Sequence, residues 1–161
     1  MHNMMGTASL ALRRYDLARK SYETAIALDP DYVLALVNLG VTLSLMGHFI
    51  KAITHYQAGL KIDPNDINSI NAMGNALQFK GEYDAAIESY SKAIALAPTC
   101  AGAHNNLGNT SENQGNLQAA VKSYTQALVY QPENEATQNN LIRACQQLGV
   151  TDSAKDRTDR P

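Results

Sequence analysis

Along residues 67 to 98 the apolar positions fall into two stripes of helical period. In the first, Ile70, Met73, Gly74 and Leu77 recur at spacings of three and four, one face of a helix. Gly81 follows, a residue that accepts the left-handed conformation at a helix end. In the second, Tyr83, Ala86, Ile87, Tyr90, Ala93, Ile94 and Leu96 run up to Pro98, where a helix cannot continue. The pattern predicts two amphipathic helices and a turn, with small Gly74 and Ala86 on the buried stripes letting the backbones approach closely. One such pair is too thin to enclose a core, so successive pairs must stack.

The same arrangement recurs along the chain. Pro30, Pro64, Pro98 and Pro132 are each 34 residues apart. Gly40, Gly74 and Gly108 keep that spacing, as do Gly47, Gly81 and Gly115. So do Ala18, Ala52, Ala86 and Ala120, each followed four residues later by Tyr22, Tyr56, Tyr90 or Tyr124.

On these residues the segment INAMGNALQFKGEYDAAIESYSKAIALAP resembles a tetratricopeptide repeat (TPR). The resemblance implies an all-α, right-handed α-solenoid of tandem helix-turn-helix repeats, the TPR superhelix. Its repeats span about 1–32, 33–66, 67–100 and 101–134, followed by a capping helix over 135–149 and a disordered tail over 150–161. The chain departs from the pattern at Leu36, Ile70 and His104, where Trp is usual. It departs again at Gly59, in place of a late alanine, at a cost of about 1 kcal/mol of local helix stability. In the cap, Leu141, Ile142, Cys145 and Leu148 are expected to cover the preceding repeat, leaving Gln138, Asn139, Arg143, Gln146 and Gln147 to water. The first helix carries Met4, Met5, Leu10 and Leu12 with few polar residues. Either the array continues upstream or this uncapped end meets something, a second copy included.

Charge and chemistry narrow the function. With 13 basic and 15 acidic residues, net −2, and no basic cluster, nucleic acid is not an expected partner. Two cysteines without a CxxC pair favour a reducing compartment or irrelevance to stability, and free thiols are expected. No signal sequence or run of 18 apolar residues appears, so a cytoplasmic chain without membrane insertion is expected. His2, His48, His55 and His104 lie in different repeats without ligand spacing, and no phosphate loop or nucleophile elbow occurs. No metal, no cofactor and no enzymatic activity are expected. Asp29, Asp31, Asp63 and Asp66 sit where turns and helix starts use them.

The asparagines are the unusual feature. Asn105, Asn109, Asn113 and Asn106 fall within an arc of about 100° on one helix, opposite His104, Leu107, Gly108 and Ser111. Asn68, Asn71, Asn75 and Gln78 repeat the arrangement, and Asn139, Asn140 and Arg143 follow in the last helix. The resemblance implies that this face lines a concave groove that holds an extended peptide. Asn38, Asn68, Asn71, Asn75, Asn105, Asn106, Asn109, Asn113, Asn139, Asn140 and Arg143 are the candidate contacts, with Phe79 at the edge either an apolar anchor or packed on a neighbour. A primary amide both donates and accepts, so a row of them can hold a peptide backbone whatever its side chains. The alternative is a solvated face whose amides in part bond between helices. One helix breaks the polar rule, since Leu34, Val37, Val41 and Leu45 occupy the groove positions while Leu36, Leu39, Gly40 and Leu43 make its core stripe. Those four are expected to be covered by a ligand, by another chain, by the Met-rich N-terminus, or by neighbouring repeats.

The resemblance also bears on subtype. Chaperone-binding members hold a terminal carboxylate with basic residues, whereas the aligned positions here are Asn71, Asn75, Asn106, Ala136 and Asn140. The function expected is a scaffold for a protein or peptide partner, its identity open. The alternatives are a targeting module of a larger enzyme, such as a protein glycosyltransferase, and a self-assembling structural protein. RNA recognition is opposed by the acidic balance.

Overall fold

The computed structural model describes residues 1–149, so the tail expected over 150–161 lies outside the described residues. Nine helices and no strand occur there: α1 (His2–Ala11), α2 (Tyr15–Leu28), α3 (Val33–Leu45), α4 (Phe49–Ile62), α5 (Ile67–Lys80), α6 (Tyr83–Leu96), α7 (Ala101–Asn113), α8 (Leu117–Tyr130) and α9 (Glu135–Gln147). The chain is all-α, of the tandem helix-hairpin class. It divides into two compact units, Met1–Ser89 and Tyr90 onward. Within the first, α1 pairs with α2 and α3 with α4, while α3 stacks on α2 and α5 on α4. Within the second, α7 pairs with α8 and α9 stacks on α8.

Three hairpins, α1–α2, α3–α4 and α7–α8, are each locked by a tyrosine lying over a glycine sixteen residues earlier. Tyr22, Tyr56, Tyr90 and Tyr124 are the largest fully buried side chains. A Cβ on Gly6 would sit 2.5 Å from the Tyr22 ring, and one on Gly108 2.5 Å from the Tyr124 ring; Gly40 stands in the same relation to Tyr56. The glycine therefore makes room for a ring rather than for a neighbouring backbone, and the series begins one repeat earlier than Gly40. Ala18, Ala52, Ala86 and Ala120, all fully buried, complete the interlock.

The helix ends obey the same period. Gly47, Gly81 and Gly115 have positive φ, and so does Arg13 in their register, at 56°. At each, the N–H of the following residue bonds the carbonyl five back, as from Glu82 to Leu77 and from Arg14 to Ser9, the double-bonded turn that closes a first helix. The aspartates act as expected. Asp66 caps α5 by accepting from the Ser69 N–H, and Asp29 and Asp63 accept from the N–H groups of Asp31 and Asn65. At the position where Trp is usual, His104 is buried, its Nε2 2.9 Å from the Pro98 carbonyl and its ring stacked on Tyr130.

Two expected faces are corrected. Val37 is only 7% exposed and belongs to the core with Leu39, Leu43, Ala18 and Tyr22, so it does not lie on the open face. In α9 the packed stripe is Thr137, Leu141 and Ala144, whereas Ile142 is exposed. The covering role expected of Ile142 falls to Ala144, which is small enough to sit against Ala120 and Tyr124.

Candidate binding face

The candidate residues occupy equivalent positions on α3, α5, α7 and α9, and the helical register explains which of them stay accessible. In the first unit Leu34, Leu45, Asn68, Asn75 and Phe79 are exposed, while Asn38, Val41 and Asn71 are half-buried. Leu45, Val41 and Phe79 rim a pocket of ≈ 340 Å³, completed by Ser44, Phe49, Tyr56, Ala72, Asn75 and Ala76. No ionisable side chain other than the Tyr56 phenol lines it. One wall is aromatic: Phe79, 72% exposed, stacks on Phe49 with centroids 5.5 Å apart and planes 11° from parallel. At the floor the Tyr56 hydroxyl meets Ser44 Oγ at 3.3 Å, and burial raises the pKa of the phenol.

The Met-rich N-terminus does not cover this surface. Helix α1 is the first member of its own hairpin, and Met4 and Met5 point to solvent. It touches the face at one amide pair, where Asn38 Nδ2 donates to Asn3 Oδ1 at 3.3 Å.

In the second unit the equivalent positions build a polar network. Asn140 Nδ2 donates to Asn109 Oδ1 at 3.1 Å and to Asn105 Oδ1 at 3.4 Å, and Thr137 Oγ1 donates to the same Asn105 oxygen at 3.1 Å. Arg143 reaches from α9 to α7 and grips Glu112 with two parallel bonds, Nε to Oε1 and Nη2 to Oε2, both 2.8 Å. The Tyr124 hydroxyl shares its proton between Glu112 Oε2 at 2.7 Å and Asn109 Oδ1 at 2.8 Å. The bonds from Arg143, ahead of that from Tyr124, hold the Glu112 carboxyl below its ordinary pKa, against a smaller opposing effect of burial. Burial, then the bond and charge of Glu112, push the Tyr124 phenol up, and Glu112 likewise raises Arg143. Both partners of the ion pair are thus charged at neutral pH.

This network orients the amides. Asn105 and Asn109 spend their Oδ1 acceptors on α9 and Tyr124, and their Nδ2 groups make no hydrogen bond among the described residues. Asn113 and Asn139 are exposed, and Asn106 is half-buried. Glu112, Tyr124 and Thr137 are the members that sequence reasoning missed. Glu112 and Arg143 are 31 residues apart, as are Asn109 and Asn140, and that common offset between neighbouring first helices was the available signal.

Among the described residues no group of three or more His, Cys, Asp and Glu is placed to hold a metal, and no helix is long and apolar enough to cross a membrane. No disulfide joins Cys100 and Cys145, both half-buried.

Comparisons with known proteins fit this geometry. A family model described as TPR repeat matches residues 8–47 and 74–115. Two described as tetratricopeptide repeat match 33–66 and 101–134, and 55–88. No curated protein matches the sequence. Among solved structures, MamA superposes with a TM-score of 0.81 at 24% identity, over 96% of this chain and 85% of that one. Cut9, in the APC/C hetero-tetramer Cut9-Hcn1, gives 0.83 at 21% identity, over 89% of this chain and 29% of its own. YrrB, described as a TPR protein with an unusual peptide-binding site, gives 0.75 at 21% identity, over 83% of this chain and 69% of that one. The locked hairpins, the 34-residue register and the matches running from residue 8 to 134 make one conclusion: the chain belongs to the tetratricopeptide repeat family.

Proposed function

We propose that the chain is a protein-interaction scaffold whose open first-helix face takes an extended segment of a protein partner. The observation that carries this reading is exposure at one repeat position. Leu45, Phe79, Asn113 and Gln147 all stay open while Thr42, Ala76, Thr110 and Ala144 on the same helices are fully buried. In the first unit an uncharged pocket with an aromatic wall suits a large apolar side chain. In the second, Asn105 and Asn109 offer donors and no spare acceptor geometry toward α9, which suits the carbonyl oxygens of a peptide rather than its N–H groups. Each such bond contributes a net ~0.5–1.5 kcal/mol, so several are needed for useful affinity. Peptide binding by the structurally similar YrrB is consistent with this role.

The test is selection of a random-peptide display library on the 161-residue chain, followed by titration of the recovered peptides. Recovered sequences are expected to share an apolar anchor and to lose about tenfold or more in affinity on Phe79→Ala or Asn113→Ala. Peptides that bind both variants as tightly as the parent would remove this face from the function.

A further inference from the structure

In the second unit the hydroxyl of the buried tyrosine is answered from within the chain. Tyr124 donates to Glu112 Oε2 at 2.7 Å, and Arg143 neutralises that carboxylate with two bonds of 2.8 Å. Two periods earlier the same three positions hold Tyr56, Ser44 and Asn75. Ser44 is too short to fill the place of Glu112, and Asn75 too short for that of Arg143; the pocket of ≈ 340 Å³ stands there instead. At its floor the Tyr56 and Ser44 hydroxyls bond only each other, at 3.3 Å. Burial raises the pKa of the Tyr56 phenol, which therefore keeps its proton at neutral pH. Each hydroxyl carries one proton and a single proton is spent between them. Whichever donates, one O–H is left at the floor with no acceptor among the described residues.

We propose that this pocket selects a tyrosine side chain of the bound segment, its ring against the Phe49–Phe79 wall and its phenol oxygen accepting the spare proton. The inference rests on the reading of this face as a peptide-binding surface and names the residue that anchors there. Other side chains fit less well. Phenylalanine and leucine would seal the floor without an acceptor and strand the O–H away from water. Tryptophan brings a ring for the wall, but its indole N–H is a second donor. Glutamate supplies an acceptor, as Glu112 does, yet no cation lines this pocket to play the part of Arg143, so the carboxylate would be buried uncompensated. Glutamine accepts without charge but has no ring to stack on the phenylalanine pair. Tyrosine joins an uncharged acceptor to a large aromatic face.

The pocket is tested by NMR titration of the 161-residue chain with p-cresol and toluene, the tyrosine and phenylalanine side chains cut at Cβ. p-Cresol is expected to bind about threefold or more tightly than toluene. The double variant Ser44→Ala, Tyr56→Phe removes both hydroxyls together, leaves no polar group unpaired, and is expected to abolish that preference. A second variant keeps the core tyrosine: Ser44→Glu with Asn75→Arg copies the ion pair of the second unit into the pocket and is expected to exclude both probes. In peptides recovered by display, exchanging the anchor tyrosine for phenylalanine should weaken binding to the parent by about threefold or more and leave binding to the double variant unchanged. p-Cresol binding no tighter than toluene, or the same preference in the double variant, overturns the selection of tyrosine. Peptides that depend on Phe79 but are anchored by phenylalanine, leucine or tryptophan also overturn it, and leave the scaffold reading standing. Peptides indifferent to Phe79→Ala remove the face from the function, and this inference with it.

Discussion

Where the first unit carries Val41 and Asn75, the second carries Asn109 and Arg143; where the first has Leu45 and Phe79, the second has Asn113 and Gln147. Beneath both faces the interior is the same, a buried tyrosine over a glycine with an alanine beside it. Sterics set that interior, and the outward positions are left to take different chemistry. The difference reaches down to the tyrosine hydroxyl. In the first unit Tyr56 finds only Ser44, and the space above it is an open apolar pocket. In the second, Tyr124 joins Glu112, Arg143 and Asn109 in a network that ties three helices together.

The shared interior is tested first, because it should give the largest effect. Gly40→Ala and Gly108→Ala each force a methyl into a tyrosine ring and are expected to cost about 2–3 kcal/mol by urea denaturation. Similar losses at the two sites would confirm that the interiors are equivalent; a much smaller one at either would show that its ring can move aside. Removing the hydroxyl should then separate the units. Tyr124→Phe gives up a bond to a carboxylate and is expected to cost about 2 kcal/mol, against about 0.5–1 kcal/mol for Tyr56→Phe.

Acid should act on the second unit through Glu112. Its folded-state pKa lies below the ordinary value of 4.5, so its contribution is fully present above that pH and is lost as pH falls through the folded value. Glu112→Gln should flatten that part of the pH dependence of stability, measured by denaturation from roughly neutral pH down to pH 3. At the same position the first unit has Ser44, which cannot titrate there. The smallest effect expected is a gain. Gly59 stands where Ala25, Ala93 and Ala127 stand in the other second helices, and a Cβ there would make ordinary contacts of 3.5–3.8 Å with Ser69, Val33 and Val37. Gly59→Ala should raise the stability of the first unit by about 0.5–1 kcal/mol, read as a higher melting temperature.

Much of the fold was legible because a 34-residue period repeats its own evidence. Helices, the positive-φ turns and the fully buried alanines all fall where the spacing puts them. Contacts were less legible. The period says that Gly108 and Tyr124 matter but not that the ring lies on the glycine, since the sixteen-residue offset crosses a turn whose geometry the stripes do not encode. The wheel put Val37 on the open face by angle alone. Its position lies at the edge of that face, where an aliphatic side chain turns into the core and an amide, as at Asn71 or Asn105, stays half-exposed. For the asparagines, direction was readable and occupancy was not. Whether an Oδ1 is already spent depends on atoms 15 to 35 residues away, and at Asn3, Asn105 and Asn109 it is.

The tyrosine-over-glycine lock has a consequence for how such a chain can change length. Because the locks at Tyr22, Tyr56 and Tyr124 are each complete within one hairpin, excision of one whole period, for instance residues 42–75, would join Val41 to Ala76, which is equivalent to the Thr42 it normally precedes. The splice would preserve helical phase and leave Gly40 facing Tyr90, the counterpart of Tyr56. Insertions or deletions that are not multiples of that period would break phase within one turn, so length in this molecule is quantised.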